Sequence, residues 1–116
     1  MRDEAIYFET LKTYLAQAAC QIESDLLVAE VNLRDHQRLG PRWEDFARAA
    51  APDKTIRLSP DPIETLGGVR VTSADALIRA DNTFEGRLER LRSRIEQVIL
   101  ERLLPSGFET GNVFSG

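Results

Sequence analysis

Gly67-Gly68-Val69-Arg70 contains the only glycine doublet in the chain, and such a pair is where a phosphate site would be sought first. A phosphate-binding loop needs glycines that aim several backbone N–H groups at the phosphates, followed by Lys and then Ser or Thr. No lysine follows here and a strand pattern does, so the pair reads as a tight backbone entry to a hairpin. His36 is the single histidine and sits beside Asp35. A carboxylate can orient an imidazole for acid–base work. Adjacent helical residues, however, diverge by about 100°, and no Ser or Cys nucleophile lies near in sequence. The expectation is a surface histidine. Asp61, Glu64, Asp75 and Asp81 show no spacing that would make two carboxylates converge, and Asp61 and Asp75 look like turn residues. Asp81 stands just before a helix start, where it can support the cap or pair with Arg87.

Arg87, Arg90 and Arg94 recur at helical spacing, with Arg92 and Arg102 nearby. A basic stripe can read phosphates, but Glu85, Glu89 and Glu96 interleave with it and suggest charge pairs along a solvated face. Together with Trp43, the three arginines are the candidate contacts for a protein partner; Trp43 and Phe46 would otherwise be core. No catalytic, cofactor-binding or metal-ligating set is assigned.

The elements that must position these residues follow from periodicity. Residues 3–22 read as an amphipathic helix, with Tyr7, Leu11, Tyr14, Leu15, Ala18 and Ile22 on one face. Leu26–Val31 reads as a central strand whose Leu27, Ala29 and Val31 share a side. Asn32 is placed to cap the next helix, with Asp35 as a first-turn acid. Gly40-Pro41 must interrupt that helix, and a second piece carries Trp43, Phe46, Ala47 and Ala50. Thr55–Ser59 alternates as a half-buried strand, and Pro60-Asp61-Pro62 is a connector. Val69–Thr72 and Leu77–Ala80 then form a hairpin around the loop Ser73–Ala76, where nothing glycine-like occupies the turn. Asn82-Thr83-Phe84-Glu85 has the form of a capping box with Asn82 as cap. It opens a last helix whose Phe84, Leu88, Leu91, Ile95, Val98 or Ile99, and Leu103 should be core. Leu104-Pro105 ends that helix. Residues 105–116 read as a flexible tail in which Phe108 and Phe114 could dock.

The 116 residues suit one domain with a modest, mostly aliphatic core, since only 7% are aromatic. A net charge of −4 with mixed signs offers no bulk attraction to nucleic acid or anionic membranes. Cys20 is the sole cysteine, which excludes an internal disulfide and multi-cysteine metal sites and fits a reducing compartment. No apolar run can span a bilayer, and the charged opening Met1-Arg2-Asp3-Glu4 argues against a secretory leader. The order α-β-α-β-β-α predicts an α+β fold: a small antiparallel or mixed sheet of about four strands covered by helices. Its segments would be an N-terminal helix over 1–24, an α+β domain over 25–104 and the tail over 105–116.

Ile63–Leu103 resembles the C-terminal domain of the E subunit, a peripheral-stalk component of V-type and A-type ATPases. The residues that carry the resemblance are Gly67-Gly68-Val69, then Ile78-Arg79-Ala80-Asp81-Asn82-Thr83-Phe84-Glu85, then Arg87-Leu88-Glu89-Arg90-Leu91. The family motif therefore falls on Gly67, Gly68, Asp81, Asn82, Thr83, Glu85, Arg87 and Leu88. The earlier Val28–Val31 strand followed by Asn32 and a helix is similar to the family's preceding step. Two departures stand out: the chain runs on past Pro105, and of the family's long charged helix only residues 1–22 could correspond. Asp75-Ala76 also replaces an expected Asp-Gly in the hairpin.

The resemblance implies a non-catalytic stator component, without cofactor or metal, that anchors the stalk to the catalytic head during ATP-coupled proton or sodium transport. Its implied partners are a second helical stalk protein and the proteins of the head, with no nucleic acid and no direct membrane insertion. The implied location is cytoplasmic and peripherally membrane-associated through the complex. An exposed seam on residues 3–22 would promote dimers of the isolated chain. A stand-alone scaffold or regulatory module of the same fold is the alternative, and a small hydrolase built around His36 is a third reading.

Overall fold

A computed structural model describes residues 2–103. The expected tail over 105–116 and the stop at Leu104-Pro105 lie outside the described residues. The elements run α1 (Arg2–Cys20), β1 (Leu26–Glu30), α2 (Leu33–Leu39), a 3-10 turn (Gly40–Arg42), α3 (Trp43–Ala50), β2 (Thr55–Leu58), β3 (Gly68–Ser73), β4 (Arg79–Thr83) and α4 (Phe84–Leu103). The fold is α+β in the expected order.

The strands form one mixed sheet in the order β2-β1-β3-β4. β1 pairs parallel with β2, while β3 pairs antiparallel with both β1 and β4. The parallel pair is possible because α2 and α3 provide the crossover that a parallel connection requires. Alternation then separates the faces. Leu27, Ala29, Ile56, Val69, Val71 and Ala80 are buried, and α1 and α3 pack against the sheet. Leu11, Leu15, Ala18, Ala19 and Ile22 complete this core. The helix over 2–20 is thus a cover for the sheet. The exposed seam expected to promote dimers is absent among the described residues, because the same apolar stripe is spent on β3 and β4.

Asn32 caps α2 as expected: its Oδ1 accepts the Asp35 N–H at 2.8 Å. Gly40-Pro41 breaks the helix into a 3-10 turn because Pro41 removes a backbone donor. Trp43 and Phe46 pack ring to ring at 5.7 Å inside the core rather than as a partly exposed pair. Trp43 is only 7% exposed, and its indole N–H donates to the Ile56 carbonyl at 2.8 Å.

Two boundaries differ from expectation. Leu77 and Ile78 leave the strand and join the hairpin loop, and β4 instead continues through Asp81, Asn82 and Thr83. Register explains the shift. Gly68 pairs with Thr83 and Thr72 with Arg79, so the full length of β3 draws the later residues into the ladder. The loop closes with the Ser73 N–H on the Ile78 carbonyl at 2.8 Å, and Ala76 takes φ 64°.

The described chain divides at Gly86–Arg87 into two compact units. The first holds the sheet and its helices. The second is, in its described part, the single helix from Arg87 to Leu103. That helix has no buried residue, which corrects the expectation that its aliphatic stripe is core. Leu88, Leu91, Ile95, Val98, Ile99 and Leu103 are instead all exposed.

Candidate functional site

Of the residues that carry the resemblance, Gly67, Gly68, Asp81, Asn82, Thr83 and Glu85 meet where β3 begins and α4 starts, and each is used to hold backbone in place. Gly68 has φ +88°, and a Cβ there would stand 2.4 Å from the Asn82 carbonyl oxygen and 2.7 Å from Thr83 Cα. A Cβ on Gly67 would meet the Phe84 ring at 2.6 Å. These two glycines let β3 and the start of α4 lie in direct contact. The Phe84 N–H donates to the Gly67 carbonyl at 3.0 Å.

Thr83, not Asn82, supplies the cap. Its Oγ1 accepts the Gly86 N–H at 3.1 Å, while Asp81 Oδ1 accepts the Thr83 N–H at 2.9 Å and the Thr83 hydroxyl at 2.6 Å. Gly86 matters here because a Cβ would fall 2.7 Å from the Asp81 carboxyl. Asn82 is buried in β4 and donates its amide to the Tyr14 carbonyl at 3.0 Å. Glu85 does not close a capping box. Its carboxylate accepts the Thr65 hydroxyl and, at 2.9 Å, the Leu66 N–H. Those two donors hold its pKa below the usual carboxylate range, the Thr65 bond contributing most.

Beneath this junction lies a group that periodicity did not reveal. Tyr7 donates its hydroxyl to Asp35 Oδ2 and accepts the Gly68 N–H at 3.2 Å. Asp35 is 0% exposed. Its Oδ1 has no hydrogen-bond partner among the described residues, with Arg34 Nε at 3.9 Å. Burial first, then the bond to Asp35, pushes the Tyr7 phenol up to about 12. Asn32 completes the tie by donating to the Thr65 carbonyl at 3.2 Å. The only sequence signal for Asp35 was its place near a helix start, which normally marks a solvated acid.

The remaining candidates are scattered. His36 Nε2 lies 2.9 Å from the Ser59 carbonyl, while Asp35 turns inward, so no histidine–carboxylate dyad forms. Asp75 bonds the Ser73 hydroxyl at 2.6 Å and the Leu77 N–H at 3.1 Å, as a turn residue should. A polar cleft of about 410 Å³ is bordered by Thr65, Arg70, Asp81, Thr83 and Glu85. Beside it Arg70 makes a two-pronged bond to Glu30, at 2.9 and 3.0 Å, across β1 and β3. Cys20 is exposed and free. Among the described residues no three His, Cys, Asp or Glu side chains converge as metal ligands, and no helix is long and apolar enough to cross a membrane.

On α4, Arg92 bonds Glu89 at 2.8 Å and stands 3.9 Å from Glu96. These are the surface pairs that the interleaved charges suggested. Arg87, Arg90 and Arg94 occupy successive turns of the same helix. What this geometry offers is a firmly held backbone where β3 meets the start of α4 and, by itself, a charged, apolar-striped helix from Arg87 to Leu103.

Comparison with known proteins agrees with the motif. The family model described as "ATP synthase (E/31 kDa) subunit" matches residues 1–104. The chain is 49% identical over 107 residues to the V-type ATP synthase E subunit of Nitrosococcus oceani, covering 90% of this chain and 50% of the relative. It is 32% identical over 97 residues to the A-type ATP synthase E subunit of Thermococcus gammatolerans, covering 84% and 48%. With the Thermococcus sibiricus protein of the same description the identity is 35% over 106 residues, covering 86% and 51%. The chain spans about half the length of these relatives.

Proposed function

The chain belongs to the ATP synthase (E/31 kDa) subunit family, and from that membership we propose that it acts as a non-catalytic stator element of a rotary ATPase. In this reading it anchors a peripheral stalk to the catalytic head, so that ATP turnover stays coupled to proton or sodium movement. Its partners are a second helical stalk protein and the proteins of the head, and it reaches the membrane only through the complex. Arg87, Arg90 and Arg94 are the proposed partner contacts. Trp43 serves from within, holding β2 in place.

The observation that carries the proposal is the use made of the motif. Gly67, Gly68, Asp81, Asn82, Thr83 and Glu85 all fix backbone at one junction, which suits a part that transmits load. The glycine pair that might have cradled a phosphate is filled by Phe84 and Asn82.

Co-purification of the tagged protein with the head and stalk proteins of its own source tests the reading. The expected result is a stable association weakened by reversing Arg87, Arg90 and Arg94 to Glu. Failure to retain either class of protein, where a homologous E subunit retains both, would overturn it.

A further inference from the structure

β2 is an edge strand: β1 pairs with one side of it and, among the described residues, no strand pairs with the other. The Thr55 N–H donates to the Asp25 carbonyl and the Ser59 N–H to the Ala29 carbonyl, both at 2.8 Å. Alternation then turns the N–H and C=O of Ile56 and Leu58 to the open side. A cleft of about 920 Å³ runs along that side, bordered by Trp43, Pro52, Ile56, Leu58 and Pro60. Such a row of main-chain groups is a template for another strand. One of the groups is already taken. The Trp43 indole N–H donates to the Ile56 carbonyl at 2.8 Å, from where an incoming donor would have to come.

Two copies that join through one and the same edge are related by a twofold axis, so their strands pair antiparallel. Centred on Arg57, the pairing sets Ile56 against the copy's Leu58 and uses every outward group. Centred on Ile56, it asks for the Lys54 N–H, which already bonds the Ala51 carbonyl at 3.2 Å. Centred on Leu58, it sets Pro60, which has no N–H, against Ile56. The Arg57 register is the one left, and it needs the carbonyl that Trp43 holds. It also places Arg57 directly opposite the copy's Arg57. Arg57 is exposed and makes no ion pair among the described residues, and like charges facing one another across two strands repel. The next pair on that face is Thr55 with the copy's Ser59, so no carboxylate of the strand intervenes.

We propose that the β2 edge is a pairing surface for a second copy of this chain, held shut by the Trp43–Ile56 bond and by the Arg57 charge. The first restraint withholds an acceptor, and the second is a repulsion that salt screens. This inference concerns the sheet alone and stands whether or not the stator reading does.

The test places a thiol at the centre of the register. Facing residues that exchange no hydrogen bonds lie about 4.5 Å apart at Cα, within reach of a disulfide. Cys20→Ser/Arg57→Cys should stay uncross-linked in a glutathione redox buffer, because Trp43 remains. Adding Trp43→Phe should give at least about tenfold more cross-linked dimer, the worth of the two carbonyls released. With Arg57 restored, Trp43→Phe chains should associate more with Trp43→Phe/Arg57→Glu chains than with themselves, and salt should narrow the gap. Equal cross-linking with Trp43 in place overturns the proposal, as does none in a Trp43→Phe chain whose circular dichroism is native. The unaltered chain gives a reading that no substitution can disturb. Its single tryptophan should show an indole N–H that exchanges at least about a hundredfold slower in NMR than a free indole. Exchange at the free rate overturns the proposal as well.

Discussion

The Tyr7 hydroxyl bridges the buried Asp35 carboxylate to the Gly68 N–H, so one side chain of α1 ties the crossover helix to the start of β3. Asp35 is fully enclosed and one of its oxygens has no hydrogen-bond partner among the described residues. Tyr7→Phe should therefore cost about 1–3 kcal/mol, since it strands a buried acceptor. Asp35→Ala should be costly alone, yet the double substitution should cost less than the sum. Urea unfolding of the three variants checks this. Strict additivity would mean the two groups do not interact.

The same bridge sets an alkaline limit. Burial and Asp35 raise the Tyr7 phenol from 10.0 to about 12, so the fold favours the neutral form. Its contribution is complete below the ordinary value of 10.0 and is lost as pH rises toward about 12. In a Tyr14→Phe background Tyr7 is the only tyrosine, and its tyrosinate absorbance should appear late and together with unfolding. A titration near the ordinary value with the fold intact would contradict the bridge.

Glu85 gives the acid-side counterpart. Its folded pKa is depressed by Thr65 and Leu66, so its contribution is present above the usual 4.5 and disappears as pH falls through the lowered value. Thr65→Ala should move the Glu85 carboxyl resonance in NMR titration back toward its ordinary midpoint. No movement would mean the strap from Thr65 is not formed in solution.

The two motif glycines should differ in tolerance. Gly68→Ala needs a left-handed backbone and meets main-chain atoms that cannot yield, so a loss of about 3 kcal/mol or more is expected. Gly67→Ala meets only the Phe84 ring, a side chain that can shift, and should cost about 1–3 kcal/mol. Thermal melts of both decide it, and equal losses would argue against the contrast in their surroundings.

Ala76 sits at φ 64° in the hairpin loop, a conformation that is strained for any residue with a Cβ. Ala76→Gly should stabilise the protein by about 0.5–1 kcal/mol, the strain relieved less the entropy glycine adds to the unfolded chain. A lowered denaturation midpoint would show that the loop takes another shape.

Much of this arrangement could be read along the chain. The alternation of Leu27, Ala29 and Val31, the Asn32 cap, the break at Gly40-Pro41 and the run from Gly67 to Leu91 each depend on neighbours a few residues away. Local spacing therefore specified the elements and their order, and the resemblance carried by the run from Gly67 to Leu91 pointed to the family. Residues distant in sequence settled the rest. Asn82 looked like a helix cap until β3 drew it into the ladder and left Thr83 to cap α4. Asp35 read only as a first-turn acid until Tyr7, 28 positions earlier, met it in the core. The stripe on α4 has the period of a core helix, and periodicity records only that an apolar face exists. Which surface covers it is decided by packing in three dimensions, because burial is a property of neighbours in space and not of spacing along the chain.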